Sequence, residues 1–226
     1  MESQIARFID HTLLRPEATP EGISRLCEEA LKYQFAAVCI NPCYAAQAFK
    51  ILRNSRVKVA SVAGFPLGAN LTEVKALEAK RAVEDGASEI DMVMNIGAFK
   101  NGEYQKVLED IKAVVEASRP ALVKVIVETV LLNEREKEKI CQIIEDSGAA
   151  FIKTSTGFIS EGKAAVEDII LFKKILKKGI KIKASGGIRD FSRARALINC
   201  GASRIGTSSG LKIITEEIDN CRNKEK

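Results

Sequence analysis

Short apolar runs alternate along the chain with longer segments in which apolar positions recur every three or four residues. The runs are AAVCI (36–40), VKVASVAGF (57–65), EIDMVM (89–94), LVKVIVE (122–128), AAFIKTS (149–155), IKIKAS (180–185) and SRIGTSS (203–209). Rich in β-branched residues and set off by turn formers, they predict strands buried on both faces. Helical spacing marks PEGISRLCEEALKY (20–33), TEVKALEAKRAVEDG (72–86), EYQKVLEDIKAVVEAS (103–118), REKEKICQIIEDSG (135–148) and KAAVEDIILFKKILKKG (163–179). Gly86, Gly148, Gly179 and Gly201 fall where these or neighbouring helices should stop.

Seven strands are clear, and the spacing places an eighth at FIDHT (8–12), ahead of the first full helix. Unbroken strand-then-helix order implies a parallel sheet, because parallel strands need helical crossovers. Eight such units predict an α/β protein: a single (β/α)8 TIM barrel with a short N-terminal helix, occupying residues 1–226 as one domain. An open doubly wound sheet competes, but no GxGxxG follows the first strand. The closing NKEK (223–226) has charge without an apolar anchor, so a disordered tail is expected over about 220–226.

Composition narrows the function. The 226 residues are 46% hydrophobic and 29% charged, ordinary for a soluble domain. The net charge of +5 is spread along the chain, and without Trp there is no stacking platform for nucleic acid. No nucleic-acid partner is expected, and an anionic small molecule suits the balance better. Cys27, Cys39, Cys43, Cys141, Cys200 and Cys221 make no CxxC pair, and His11 is the single histidine, so the usual zinc sites are not expected. The cysteines read as reduced thiols, the N-terminus lacks a secretory signal, and no apolar run is long enough to span a bilayer; a cytoplasmic protein with no membrane partner is expected.

In such barrels the chemistry sits where the strands end. Lys124, Lys153 and Lys183 interrupt three successive strands that should be apolar, and Asp91 interrupts a fourth. A lone strand lysine is commonly a snorkelling one, and Lys58 and Lys181, near strand starts, read that way. Alternation puts Lys124, Ile126 and Glu128 on one face, so an ion-pair network with Asp91 and Glu128 is an open structural reading. The functional reading uses the same residues. An amine attacks a carbonyl only when neutral, and burial and a neighbouring cation both favour that form. The iminium it makes is an electron sink, beside which a carbon–carbon bond can break while other groups move protons. Two loops, SGGIR (185–189) and IGTSSG (205–210), fall after strands seven and eight, where barrels often hold phosphate on backbone N–H groups.

FIKTSTG (151–157), KIKASGGIR (181–189), EIDMVMNIG (89–97), LVKVIVET (122–129) and IDHTLL (9–14) together resemble the deoxyribose-phosphate aldolase family over nearly the whole chain. The resemblance implies reversible cleavage of 2-deoxy-D-ribose 5-phosphate to D-glyceraldehyde 3-phosphate and acetaldehyde, with no cofactor or metal. It implies Lys153 as the Schiff-base lysine, with Asp91 and Lys183 moving protons. Lys124 would belong to that cluster, and Asp10, Thr12 and Cys39 would line the pocket. Thr156, Gly157, Gly186, Gly187, Gly206, Ser208 and Ser209 would hold the substrate, mainly its phosphate. A homodimer or homotetramer is implied. Some family members end in a tyrosine that enters the site. The tyrosines here are Tyr33, Tyr44 and Tyr104, so either another group would take that role or the rate would be low. Alternatives are a ketose-dependent aldolase or transaldolase, a metal-dependent phosphosugar isomerase short of ligands, and an inactive phosphosugar-binding protein.

Overall fold

A computed structural model describes residues 4–177 and 179–224. Eight parallel strands close in sequence order: β1 (Ile9–Leu13), β2 (Ala37–Ile40), β3 (Lys58–Ala63), β4 (Glu89–Val93), β5 (Leu122–Ile126), β6 (Phe151–Lys153), β7 (Lys181–Ser185) and β8 (Arg204–Thr207). β1 pairs with both β2 and β8, which leaves no free edge. The expected (β/α)8 barrel is therefore present, and a single 3-10 turn, Ala6–Phe8, is the short N-terminal helix.

Around the barrel run α1 (Pro20–Tyr33), α2 (Ala45–Leu52), α3 (Thr72–Glu84), α4 (Ile96–Lys100), α5 (Tyr104–Ala117), α6 (Glu134–Ser147), α7 (Val166–Ile175), α8 (Phe191–Cys200) and α9 (Gly210–Lys224). Their starts are fixed locally. Thr19 accepts the Gly22 N–H ahead of α1, Asn133 and Glu136 form a reciprocal box ahead of α6, and Asp190 accepts from Arg193 ahead of α8. The main core lies between strands and helices. Val38, Ile90, Val125, Ile152 and Ile205 point outward from the barrel and pack with helix residues such as Ile23, Ile111, Ile144 and Leu197. A second, small cluster of Leu14, Ala37, Cys39, Ala60 and Val62 fills the interior beside β1–β3.

Several boundaries differ from the sequence expectation. β5 stops at Ile126, and Glu128 takes a left-handed backbone (φ 54°), so alternation does not carry across to it. The helix expected over 163–179 is α7, Val166–Ile175. Leu176 turns extended (ψ 130°) and ends it before Gly179, which therefore caps nothing. Helices α2, α4, α8 and α9 join the five anticipated. Of the tail expected over 220–226, residues 220–224 continue α9, while 225 and 226 lie outside the described residues. Ile213 and Ile214 are buried and anchor α9 upstream, and elongation from an anchored helix is favourable. Among the described residues no helix is long and apolar enough to cross a membrane.

Candidate active site

The interior beside β4–β8 is charged. Register sets Asp91 opposite Lys124 and Lys153 opposite Lys183, and the pleat turns all four inward. Asp91 is the hub. Its Oδ1 accepts from Lys124 Nζ at 2.8 Å, and its Oδ2 accepts from both Lys153 Nζ and Lys183 Nζ at 2.7 Å. The two amines are thus no further apart than twice that distance. Deeper in the barrel, Lys183 donates to Asp10, Arg204 Nε to Asp10 Oδ1 at 2.6 Å, and Arg204 Nη2 to Glu89 Oε2 at 2.6 Å. Lys124 Nζ also reaches Glu89 Oε2 at 2.6 Å.

Four cations (Lys124, Lys153, Lys183, Arg204) thus face three carboxylates (Asp10, Glu89, Asp91), a surplus of one positive charge. Burial is the largest influence on Asp91 and works against its charge, yet the three lysines together hold its carboxyl well below the usual range. Asp10 is likewise pushed up by burial but drawn down to about 2 by Lys183, Arg204 and Lys124. Burial opposes the charge on Lys183, and Asp10 and Asp91 override it, so this ammonium holds its proton more firmly than a free lysine. Lys124 behaves the same way through Asp91 and Glu89. Lys124 and Lys183 have no exposure, whereas Lys153 keeps 3%. Of the three lysines, only Lys153 is the last residue of its strand, the end at which such barrels carry their chemistry.

The other sequence-identified residues sort into three groups. Asp10 lies deep in the charge network rather than at a strand end. Thr12 Oγ1 donates to the Asp10 carbonyl at 2.8 Å, and Thr12 is the register partner of Cys39. Cys39 Sγ approaches Asp91 Oδ2 at 3.8 Å, and burial and Asp91 push its thiol pKa up. Thr156 is occupied: Glu128 Oε2 accepts from its Oγ1 at 2.5 Å and from its N–H at 3.1 Å. Glu128 is therefore tied to the β6 loop and takes no part in the ion-pair network that alternation had assigned to it. Glu89 and Asp10 stand in that place.

Gly206 lies inside the barrel, where a Cβ would come within 3.0 Å of the Lys183 stem. Gly186 (φ +97°) lets the Gly162 carbonyl approach, since a Cβ there would sit 2.3 Å from that oxygen. Gly157 and Gly187 are exposed beside it at the mouth, Ser208 is exposed and Ser209 half-buried. Thr207, which the sequence reading passed over, joins the two glycine loops. Its Oγ1 donates to the Ile188 carbonyl at 2.7 Å and accepts from the Ser209 N–H at 2.9 Å. Also passed over were Glu89 and Arg204. Glu89 shares the face of Asp91 by alternation, a signal that was available. His11 points outward from the barrel, with Nε2 2.7 Å from Glu29 of α1.

An amine at the mouth of a parallel barrel, bonded to a buried carboxylate that a second ammonium shares, defines an enzyme of the lysine-dependent barrel class. A family model described as DeoC/LacD family aldolase matches residues 5–216. The chain belongs to that family of lyases. It is 54% identical over 214 residues to a deoxyribose-phosphate aldolase of Clostridium tetani, covering 94% of this chain and 99% of the relative. Among solved structures it is similar to an aldolase designated QR15 (TM-score 0.93, 42% identity, 97% of this chain and 98% of the other). It is also similar to the deoxyribose phosphate aldolase from Aeropyrum pernix, described as a unique tetrameric structure (TM-score 0.87, 33% identity, 93% and 89% covered).

Proposed function

We propose that the chain is a deoxyribose-phosphate aldolase that cleaves 2-deoxy-D-ribose 5-phosphate reversibly to D-glyceraldehyde 3-phosphate and acetaldehyde through a Schiff base on Lys153. The observation that carries this reading is the Lys153 amine, held at the end of β6 and 2.7 Å from the carboxylate that Lys183 shares. When Lys153 reacts as the neutral amine, the surplus positive charge of the cluster is gone. Its Nζ adds to C1 of the open-chain aldehyde, and uptake of one proton from water at the site with loss of water gives an iminium. That step restores one positive charge beside Asp91, whose fixed carboxylate stabilises it without reorganisation.

The C3 hydroxyl then gives up its proton, the C2–C3 electron pair moves into an enamine, and C3 leaves as the aldehyde carbon of glyceraldehyde 3-phosphate. Protonation of the enamine at C2 and hydrolysis of the resulting iminium release acetaldehyde and the free amine. Asp91, held far down the pH scale, keeps its charge throughout. A water held by Asp91 and Lys183 takes the C3 hydroxyl proton and returns one to C2 of the enamine. Lys124 fixes Asp91 from the other side, and Cys39 and Thr12 complete the wall.

The substrate's phosphate is assigned to the loops carrying Gly157, Gly186, Gly187, Ser208 and Ser209, at the start of α9, where backbone N–H groups favour an anion. Gly206 contributes by leaving room for Lys183. One closed barrel supports treating residues 1–226 as one domain. A homodimer or homotetramer is the proposed assembly, supported by the tetrameric relative, and a cytoplasmic setting is supported by cysteines that are all free thiols. The test is turnover of 2-deoxyribose 5-phosphate, with borohydride trapping of acetaldehyde and mapping of the labelled peptide. Label anywhere other than Lys153, or no turnover, removes the proposal.

A further inference from the structure

His11 lies outside the charge cluster, on the outward face of β1, and no step of the reaction uses it. Its surroundings are nonetheless specific. The ring is 4% exposed, stacks at a tilt on Phe35 with centroids 5.0 Å apart, and is oriented by Glu29, 2.7 Å from Nε2. Glu29 takes the Nε2 side of the ring. Nδ1 is buried on the other side, toward the backbone of Thr207. It points at the loop that opens α9. Thr207 is the register partner of His11, and a Cβ on Gly210 would stand 2.8 Å from Nδ1 and 3.2 Å from the Phe35 ring. Gly210 is the first residue of α9, and Thr207 is the hydroxyl that ties this loop to the one after β7.

We infer that His11, clamped by Glu29, is a positioning residue for the phosphate subsite: its ring is the floor that sets the height of the first turn of α9. This rests on the phosphate assignment above. The ring never touches the reacting atoms, so it should influence only substrates that carry the anion. Removing it opens space beneath Gly210 and lets the N–H groups of that turn drift from the phosphate. Gly210 has no side chain because the floor leaves none any room.

The experiment compares kcat and KM for 2-deoxyribose 5-phosphate and for unphosphorylated 2-deoxyribose in the full chain. His11→Ala should raise KM for the phosphorylated sugar about tenfold, the scale of one lost anion contact, and leave kcat/KM for the unphosphorylated sugar unchanged. His11→Gln, whose amide can still reach Glu29, should restore KM to within about threefold. Gly210→Ala should raise the same KM, and less so when combined with His11→Ala, because the methyl then occupies the vacated space. Gly210→Ala carries the test if His11→Ala does not fold. Equal losses on both sugars, or no loss in either variant, overturn the inference. A wild-type protein that neither prefers the phosphorylated sugar nor is inhibited by inorganic phosphate overturns the phosphate assignment itself, and the role of His11 with it.

Discussion

Replacing Asp91 with Asn tests the charge count directly. The substitution preserves shape and leaves four cations facing Asp10 and Glu89 alone. Asp91 is fully buried and accepts from three lysines at 2.7–2.8 Å. Removing one partner of a buried ion pair typically costs about 3–5 kcal/mol. The cluster can escape part of that by releasing a lysine proton. From an ordinary lysine pKa this costs about 4.6 kcal/mol at pH 7. The two routes are of similar size, so the loss should be about 3–5 kcal/mol whichever is taken, within a total of roughly 5–15 kcal/mol. The variant should fold with a Tm lowered by roughly 6–20 °C.

The pH dependence separates this account from a simple packing defect. In the wild type, Lys124 and Lys183 have folded pKa values raised above the unfolded value of 10.5. Their contribution is fully present below that value, so their effect is flat between pH 7 and 9. In Asp91→Asn the native lysines lose protons more easily than the unfolded ones. The unfolded state then binds more protons, and stability should rise with pH over the same window. Turnover should fall by about 10²–10⁴, the usual worth of positioned proton transfer. Urea unfolding at pH 7, 8 and 9 reads the first effect and steady-state kinetics the second. An unfolding midpoint equal to wild type at pH 7, or one that falls toward pH 9, refutes the charge count.

Lys153→Met should abolish turnover and borohydride labelling and cost less stability than Lys124→Met, because Lys153 meets one carboxylate whereas Lys124 bridges Asp91 and Glu89. Lys124→Met should cost about 3–5 kcal/mol, and equal urea midpoints for the two would contradict the distinction. Toward acid, stability should be lost in two stages. Burial lowers the pKa of His11 despite Glu29, so its contribution is present above 6.5 and declines as pH falls through its folded value. Asp10 and Asp91, both lowered, contribute fully above 3.8 and lose that contribution as pH falls toward 2. His11→Gln should erase only the first stage in urea titrations from pH 8 to 3. Lys75, fully buried and bonded to Asp110 at 2.7 Å and to the Val93 carbonyl at 3.0 Å, lies outside the site. Lys75→Met should cost about 3–5 kcal/mol with kcat unchanged, and a fall in kcat at fixed fold would connect this pair to the chemistry.

Lys153, Lys183, Lys124 and Asp91 were legible because a charged residue inside an apolar strand has no local excuse. Arg204, and Glu89 despite sharing the face of Asp91, stood out less for the opposite reason. Each is the first residue of its strand, a position where charge is normally solvated, and nothing local says that closing the barrel brings β8 across to β4. Glu128 misled because alternation holds only while the backbone stays extended, and the chain leaves that region at a left-handed residue. The helices α2 and α8 span only 8 and 10 residues, too few turns for their apolar faces to stand out as a repeat.

The interior is also divided in a way no single strand reveals. Beside β1–β3 it is lined by Ala37, Cys39, Ala60 and Val62, small and apolar, whereas beside β4–β8 it carries almost all the charge. A charge network this deep is poor evidence for stability, since each ion was first stripped of water. A surplus cation makes it poorer still, because a balanced set was available by replacing Lys153 with an apolar residue. The cluster therefore holds one cation more than its carboxylates balance, and Lys153 is the lysine at a strand end. That suits the proposed nucleophile: Asp91, Lys124 and Lys183 are held in their charged forms around it, and an iminium on Lys153 meets a carboxylate already in place.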